Sequence, residues 1–165
     1  CEAWITAYRR KAELARNLVG QAVGTDSFVV LRLCGNSIHL YCNRGIRDVV
    51  YHDLQLHSAC LKADVYNDKI SLQQLRQLDP DRILMLICPD AETRTAWLAL
   101  QHSAEWRSLP AVNGGRIYPI PSDPWFEYSA FSINRMLNEM LMMFTGKCPN
   151  DDLEYVHGDG RFSEL

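Results

Sequence analysis

Three arginines stand where an anion could be bound. Arg32 lies inside the apolar run FVVLRLC at 28–34, and Arg44 and Arg47 fall where a helical pattern begins. A strand seldom keeps an arginine among Val and Leu unless its charge meets a partner or an opening. A helix start presents unpaired backbone N–H groups and favours negative charge. Together these residues make a candidate anion-binding face. The same residues also admit a structural reading. Arg32 would then snorkel or pair with a carboxylate such as Asp48, and Arg44 and Arg47 would be ordinary solvated side chains.

The segment SDPWFEYS at 122–129 is the second candidate. Trp125 and Tyr128 flank the expected start of the last helix, beside Ser129. Aromatic rings there can stack on a planar ligand or cover its metal complex. Alternatively, Ser122 and Asp123 are simple caps, with Trp125 and Phe126 as a hydrophobic staple. A third constellation is Cys34, His39 and Cys42, a C-x4-H-x2-C cluster. It offers three metal ligands at a spacing that matches no common zinc pattern, so no metal site is expected.

Catalytic signatures are absent from the sequence. It has no G-x-S-x-G elbow, no G-x-x-x-x-G-K-[ST] loop and no G-x-G-x-x-G fingerprint. No paired carboxylates stand out, and no histidine has an H-E-x-x-H context. His52 is expected on a solvated helix face. A binding domain is expected, not an enzyme.

The elements that must position these residues follow from periodicity. Trp4, Tyr8, Ala12, Ala15 and Val19 form the apolar stripe of a first helix, which Gly20 and Gly24 end. Residues 28–34 read as a central strand, Gly35-Asn36 as a turn and residues 38–42 as the returning strand. Asn43 caps a helix whose buried face carries Ile46, Val49, Val50 and Leu54. Residues 55–69 look irregular, and Ile70 marks a short strand. A short helix at 71–78 opens with a capping box, Ser71 and Gln74. RILMLIC at 82–88 is a second buried strand, and Asp90 caps the helix carrying Trp97 and Leu100. Residues 105–112 form a loop or short helix. RIYPI at 116–120 is a strand that Pro119 confines to an edge. The last long helix runs through Phe126, Ala130, Ile133, Leu137, Leu141 and Phe144. Strands alternating with helices indicate a three-layer α/β/α domain with a mostly parallel sheet. In such sheets ligands gather at loops beyond the strand ends.

The 165 residues suit one domain or one lobe of a larger protein. A net charge of −3 argues against a general nucleic-acid-binding surface on this segment. No apolar run approaches the roughly 20 residues that span a bilayer. The six cysteines include no C-x-x-C pair. They are expected to be free thiols, which suits a reducing compartment. Cys1 opens directly into a helical pattern, which suggests a helix that began upstream more than a lipoprotein terminus.

The order of motifs resembles the C-terminal lobe of substrate-binding proteins for iron–siderophore and heme importers. The marks are W-x3-Y-x2-K-A (Trp4, Tyr8, Lys11, Ala12), V-L-R (Val30, Leu31, Arg32) and Y-x-D-L-x-L (Tyr51, Asp53, Leu54, Leu56). I-S-L-x-x-L (Ile70, Ser71, Leu72, Leu75) and D-P-D-R-I from Asp79 follow. W-x-S-L-x-A-V (Trp106, Ser108, Leu109, Ala111, Val112) and G-R-I-Y ending at Tyr118 close the series. The resemblance implies a lobe at 1–146 and a tail at 147–165. The first helix would be the second half of a helix joining two lobes, and the N-terminal lobe would be the missing partner. The stretch PWFEYSAF from Pro124 looks like the version fused to an AraC-type regulator. That implies a cytoplasmic sensor that meets DNA through a separate helix-turn-helix domain. The alternatives are a cell-surface lipoprotein feeding an ABC permease, and a lobe used only for dimerisation.

The implied ligand is a ferric siderophore or heme in an interlobe cleft. The siderophore would hold the iron, with no covalent cofactor and no protein metal ligand. By resemblance, Arg32 neutralises the anionic ligand, and Asn43, Arg44 and Arg47 face the cleft. Trp125, Tyr128 and Ser129 form the loop before the last helix. Cys34 and Gly35 stand close to where some catecholate binders carry a further basic residue.

Overall fold

The computed structural model describes residues 2–60, 66–121 and 125–146. The expectations for Cys1, Ser122, Asp123, Cys148 and the tail at 147–165 lie outside the described residues.

The chain opens with α1 (Glu2–Val23), which buries Ala12, Ala15, Val19 and Val23 along one stripe. Strands β1 (Ser27–Cys34) and β2 (Ser37–Tyr41) form an antiparallel hairpin. Its turn begins at Gly35 with φ +58°, a conformation that glycine adopts without penalty. Helix α2 starts as one α-turn (Arg44–Ile46) and continues as a wider π-helix (Arg47–Asp53). The short strands β3 (His57–Ser58) and β4 (Asn67–Lys69) precede α3 (Leu72–Leu78), whose capping box is formed by Ser71 and Gln74. Then come β5 (Arg82–Ile87), α4 (Ala91–His102, capped by Asp90), α5 (Ala104–Arg107) and α6 (Pro110–Asn113). Strand β6 (Ile117–Pro121) and α7 (Ala130–Thr145) complete the described chain.

The strand order is β4-β2-β1-β5-β6, with β3 pairing the start of β1. The ladders β1–β5, β5–β6 and β1–β3 are parallel, whereas β1–β2 and β2–β4 are antiparallel. The sheet is therefore mixed: parallel where helices connect the strands, antiparallel at the hairpin edge. Parallel pairs need crossover connections, whereas the two-residue turn at Gly35 can only reverse the chain.

Both faces of the central strands are covered, which explains why β1 and β5 read as nearly continuous apolar runs. Phe28, Val30, Leu84 and Leu86 face a core built with α1, α2 and α7. Val29, Leu31, Leu33, Ile83 and Met85 face a second core with Leu75, Trp106 and Leu109. Alternation along each strand thus divides one sequence run between two layers of helices. That is the three-layer α/β/α arrangement.

Two expectations are overturned here. Cys34 and Cys88 are joined in a disulfide, with Cα atoms 5.3 Å apart. They follow the last paired row, Leu33 with Ile87, so the parallel register brings their sulfurs together although 54 positions separate them in sequence. Among the described cysteines, Cys42 and Cys60 are free. The last helix also begins later than its apolar pattern suggests. Ser129 accepts from the backbone N–H of Ser132, and Ser132 answers in kind, so a capping box starts α7 at Ala130. Trp125 and Phe126 precede the helix.

Candidate functional site

Arg32 points to the face of the sheet covered by α2 and α7. Its guanidinium carbon lies 4.8 Å from the centre of the Phe126 ring and 5.5 Å from that of Tyr41. Those two rings meet edge-on at 5.3 Å, and Tyr66 lies 5.8 Å from Tyr41. Such contacts attract a cation to the ring face, by roughly 0.5–2 kcal/mol. The buried Nε of Arg32 has no hydrogen-bond partner among the described residues. The ion pair with Asp48 is not formed. Asp48 instead accepts a hydrogen bond from the Tyr128 hydroxyl at 3.0 Å.

Asn43 ties the loop after β2 to the loop before α7. Its side chain accepts from the N–H of Ile46 at 2.8 Å and donates to the carbonyl of Trp125 at 2.7 Å. It also reaches the Tyr41 hydroxyl at 3.4 Å. At 8% exposure, Asn43 is a positioning residue more than an open contact. Gly45 explains how closely the two loops approach. A Cβ there would stand 3.3 Å from the Glu127 carbonyl and 3.6 Å from Met136 Sδ.

Arg44 is exposed, and its guanidinium carbon lies 4.7 Å from the centre of the Tyr128 ring. Tyr128 is 48% exposed, so Arg44 and Tyr128 present a solvent-facing pair. Arg47, also exposed, acts elsewhere. Burial pushes the Cys42 thiol above its usual range, while Arg47 beside it pulls the other way. The three arginines therefore surround the start of α2 but do not share one contact set. Burial likewise pushes the Tyr41 hydroxyl up, against the opposing pull of Asn43 and Arg32.

Trp125 departs most from expectation. It is 0% exposed and belongs to the core with Met136, Leu137 and Met140. Its indole N–H donates to Glu139. It cannot form an open aromatic wall on this lobe; Phe126, one residue on, takes that place against Arg32. Ser129 spends its hydroxyl on the cap of α7. Sequence reasoning did not place Tyr41, Phe126, Tyr66 or His39 around Arg32. The signal for His39 was present: a two-residue turn at 35–36 pairs 34 with 37 and hence 32 with 39. No group of three His, Cys, Asp or Glu side chains suited to a metal ion occurs among the described residues.

No family model matches the chain. It is 29% identical over 148 residues to the HTH-type transcriptional activator Btr of Bacillus subtilis, covering 90% of this chain and 28% of Btr. The fold matches the triscatecholate siderophore binding protein FeuA of B. subtilis, solved with ferri-bacillibactin, at a TM-score of 0.75 and 21% identity. That match covers 88% of this chain and 53% of FeuA. It also matches FhuD2 of Staphylococcus aureus with bound ferrioxamine B, at a TM-score of 0.69 and 14% identity, covering 86% and 57%. The chain thus has the fold of siderophore-binding proteins. It spans about half the length of those structures and little more than a quarter of the regulator.

Proposed function

We propose that this chain is the C-terminal lobe of a two-lobe domain that recognises a ferric siderophore, in a parent protein that regulates transcription. Arg32 carries this reading. Its cation is held between Tyr41 and Phe126 with a buried Nε that nothing described satisfies. Buried polar groups ordinarily have partners, so an anionic ligand arriving from the cleft side accounts for the arrangement. Arg44 with Tyr128 adds an exposed cation and ring nearby. The siderophore would hold the iron. The likeness to Btr supports the regulator, in which an AraC-type helix-turn-helix domain outside this chain would meet DNA and the whole would work in the cytoplasm.

One observation favours a second reading. The Cys34–Cys88 disulfide suits an oxidising compartment, and so an extracytoplasmic lipoprotein serving an ABC permease. Among the described residues, no helix is long and apolar enough to cross a membrane.

The test is a quenching titration of the two-lobe protein with several ferric siderophores and with heme. At least one should bind, and Arg32→Ala should weaken an anionic one by about 1–3 kcal/mol, the scale of a charge-assisted contact. Binding of none of them, or no effect of Arg32→Ala, refutes the reading.

A further inference from the structure

Two of the three buried side-chain atoms that lack a partner among the described residues are neighbours. They are Arg32 Nε and His39 Nδ1; the third is Asn138 Oδ1. Arg32 pairs with His39 across the β1–β2 hairpin, and His39 pairs with Lys69 across β2–β4. Directly opposed residues in antiparallel strands project to the same face, with Cβ atoms about 5 Å apart. Lys69, His39 and Arg32 therefore form one row across three strands. The row continues through Leu86 and Ile120, which belong to the core under α1, α2 and α7.

The flanking positions on that face are Ser37 and Cys34 on one side, Asn67 and Tyr41 on the other. None carries a carboxylate. Asp68 belongs to the opposite face by alternation, and Asp48 is engaged by Tyr128. Two cations, Arg32 and Lys69, thus flank His39 in one row, and like charges brought together cost free energy when nothing neutralises them. A buried, unpartnered ring nitrogen adds a further cost. Here both costs fall at one place, beside the Tyr41 and Phe126 rings.

We infer that His39 and Lys69 are ligand-contacting residues that act with Arg32 on anionic oxygens, giving the site a preference for ferric chelates of net negative charge. This rests on the siderophore reading above. His39 supplies the short-range hydrogen bond, and exposed Lys69 supplies charge at the rim. The chelate class is one whose catecholate or carboxylate oxygens remain charged around the iron. Cys34 and Gly35 supply no basic group, but the row supplies positive charge from the neighbouring strands.

The experiment titrates the two-lobe protein with a negatively charged ferric tris-catecholate and with positively charged ferrioxamine B. Wild type is compared with His39→Phe and Lys69→Met. Phe keeps the ring bulk and the strand preference while removing both nitrogens. His39→Phe should cost about tenfold or more in affinity for the tris-catecholate. It should leave the melting temperature of the free protein unchanged or higher, because it removes an unpartnered polar atom. Lys69→Met should weaken the same ligand by a factor of about three and flatten its salt dependence. As an exposed substitution, Lys69→Met stands as the test if His39→Phe fails to fold.

Binding of neither probe, and of no other chelate, would sink the siderophore reading and this inference with it. Tris-catecholate binding that both variants leave within about twofold of wild type would overturn the inference alone. So would equal losses for both probes, or a wild-type preference for ferrioxamine B.

Discussion

Breaking the Cys34–Cys88 bridge should destabilise the lobe by a measurable and bounded amount. The bridged positions are 54 apart in sequence, and loop-closure entropy for that separation sets an upper limit of about 4 kcal/mol. The native side of the balance changes little, because the β1–β5 ladder already aligns the strands from Phe28–Arg82 to Leu33–Ile87. Cys88 is 6% exposed, and Ala removes only its sulfur, so the gap left is small. A loss of about 2–4 kcal/mol is therefore expected on reduction. For a domain of this size that is a large share of the usual 5–15 kcal/mol. Urea unfolding followed by circular dichroism, with and without a reducing dithiol, measures it. With a slope of about 2 kcal/mol per molar, the midpoint should fall by about 1–2 M. The Cys34→Ala/Cys88→Ala variant should start at the lower midpoint and ignore the reductant. Coincident wild-type midpoints in both conditions, together with a full count of free thiols, would refute the bridge and restore the reducing-compartment argument.

Further outcomes test the packing and the titrating groups. Trp125→Ala should cost about 3–5 kcal/mol of stability, as expected of a fully buried indole; a stable variant that loses only ligand affinity would return Trp125 to the binding surface. Ser129→Ala should cost about 1 kcal/mol by opening the capping box of α7, read as a shift in the urea midpoint. Burial pulls the Lys11 ammonium down to about pKa 8, so the unfolded chain binds the extra proton above that pH and stability should rise from there toward pH 9.5 or so, relative to Lys11→Met. That gain should level off once the unfolded chain also loses the proton, near the ordinary lysine range. Burial and the Asp53 hydrogen bond raise the Tyr8 hydroxyl, so it ionises only on unfolding; a monotonic rise beyond pH 10 or so would contradict that sign.

Those parts of the fold with a strong local signal were legible in the sequence. The apolar runs at 28–34 and 82–88 became β1 and β5. Ser71, Asp90 and Asn43 became caps because each can accept from a backbone N–H two or three positions on. The strands β3 and β4 were not legible. His57–Ser58 and Asn67–Lys69 are exposed and polar, and exist only because a partner strand offers them a ladder. The later start of α7 turned on one competition. Phe126 continues the helical stripe, but Ser129 is the better cap, and the chain follows the cap. That difference exchanged the expected roles of Trp125 and Phe126. The disulfide was illegible for a different reason: it depends on which strands become neighbours and in what register, and nothing local to Cys34 or Cys88 reports that.

Arg32, half-buried, shows where the structural and the ligand-binding readings of a charge part company. Among the described residues Arg32 has no ion pair; it is left with aromatic faces and a partnerless Nε, while Asp48 accepts from Tyr128. Rings hold a guanidinium in place without neutralising it. The charge therefore stays available to an anion while its geometry is already set, which lowers the ordering cost of binding. The same logic extends to Asn43 and Gly45. Their hydrogen bonds and close packing lock the α2 start against the 125–129 loop and keep Phe126 over Arg32. A lobe that required only stability could carry Leu or Met at this half-buried position at little cost, since it would then have no polar Nε to leave without a partner. Retaining the cation, and opposing it with His39 and Lys69 in one row, makes sense when the missing negative charge arrives with the ligand.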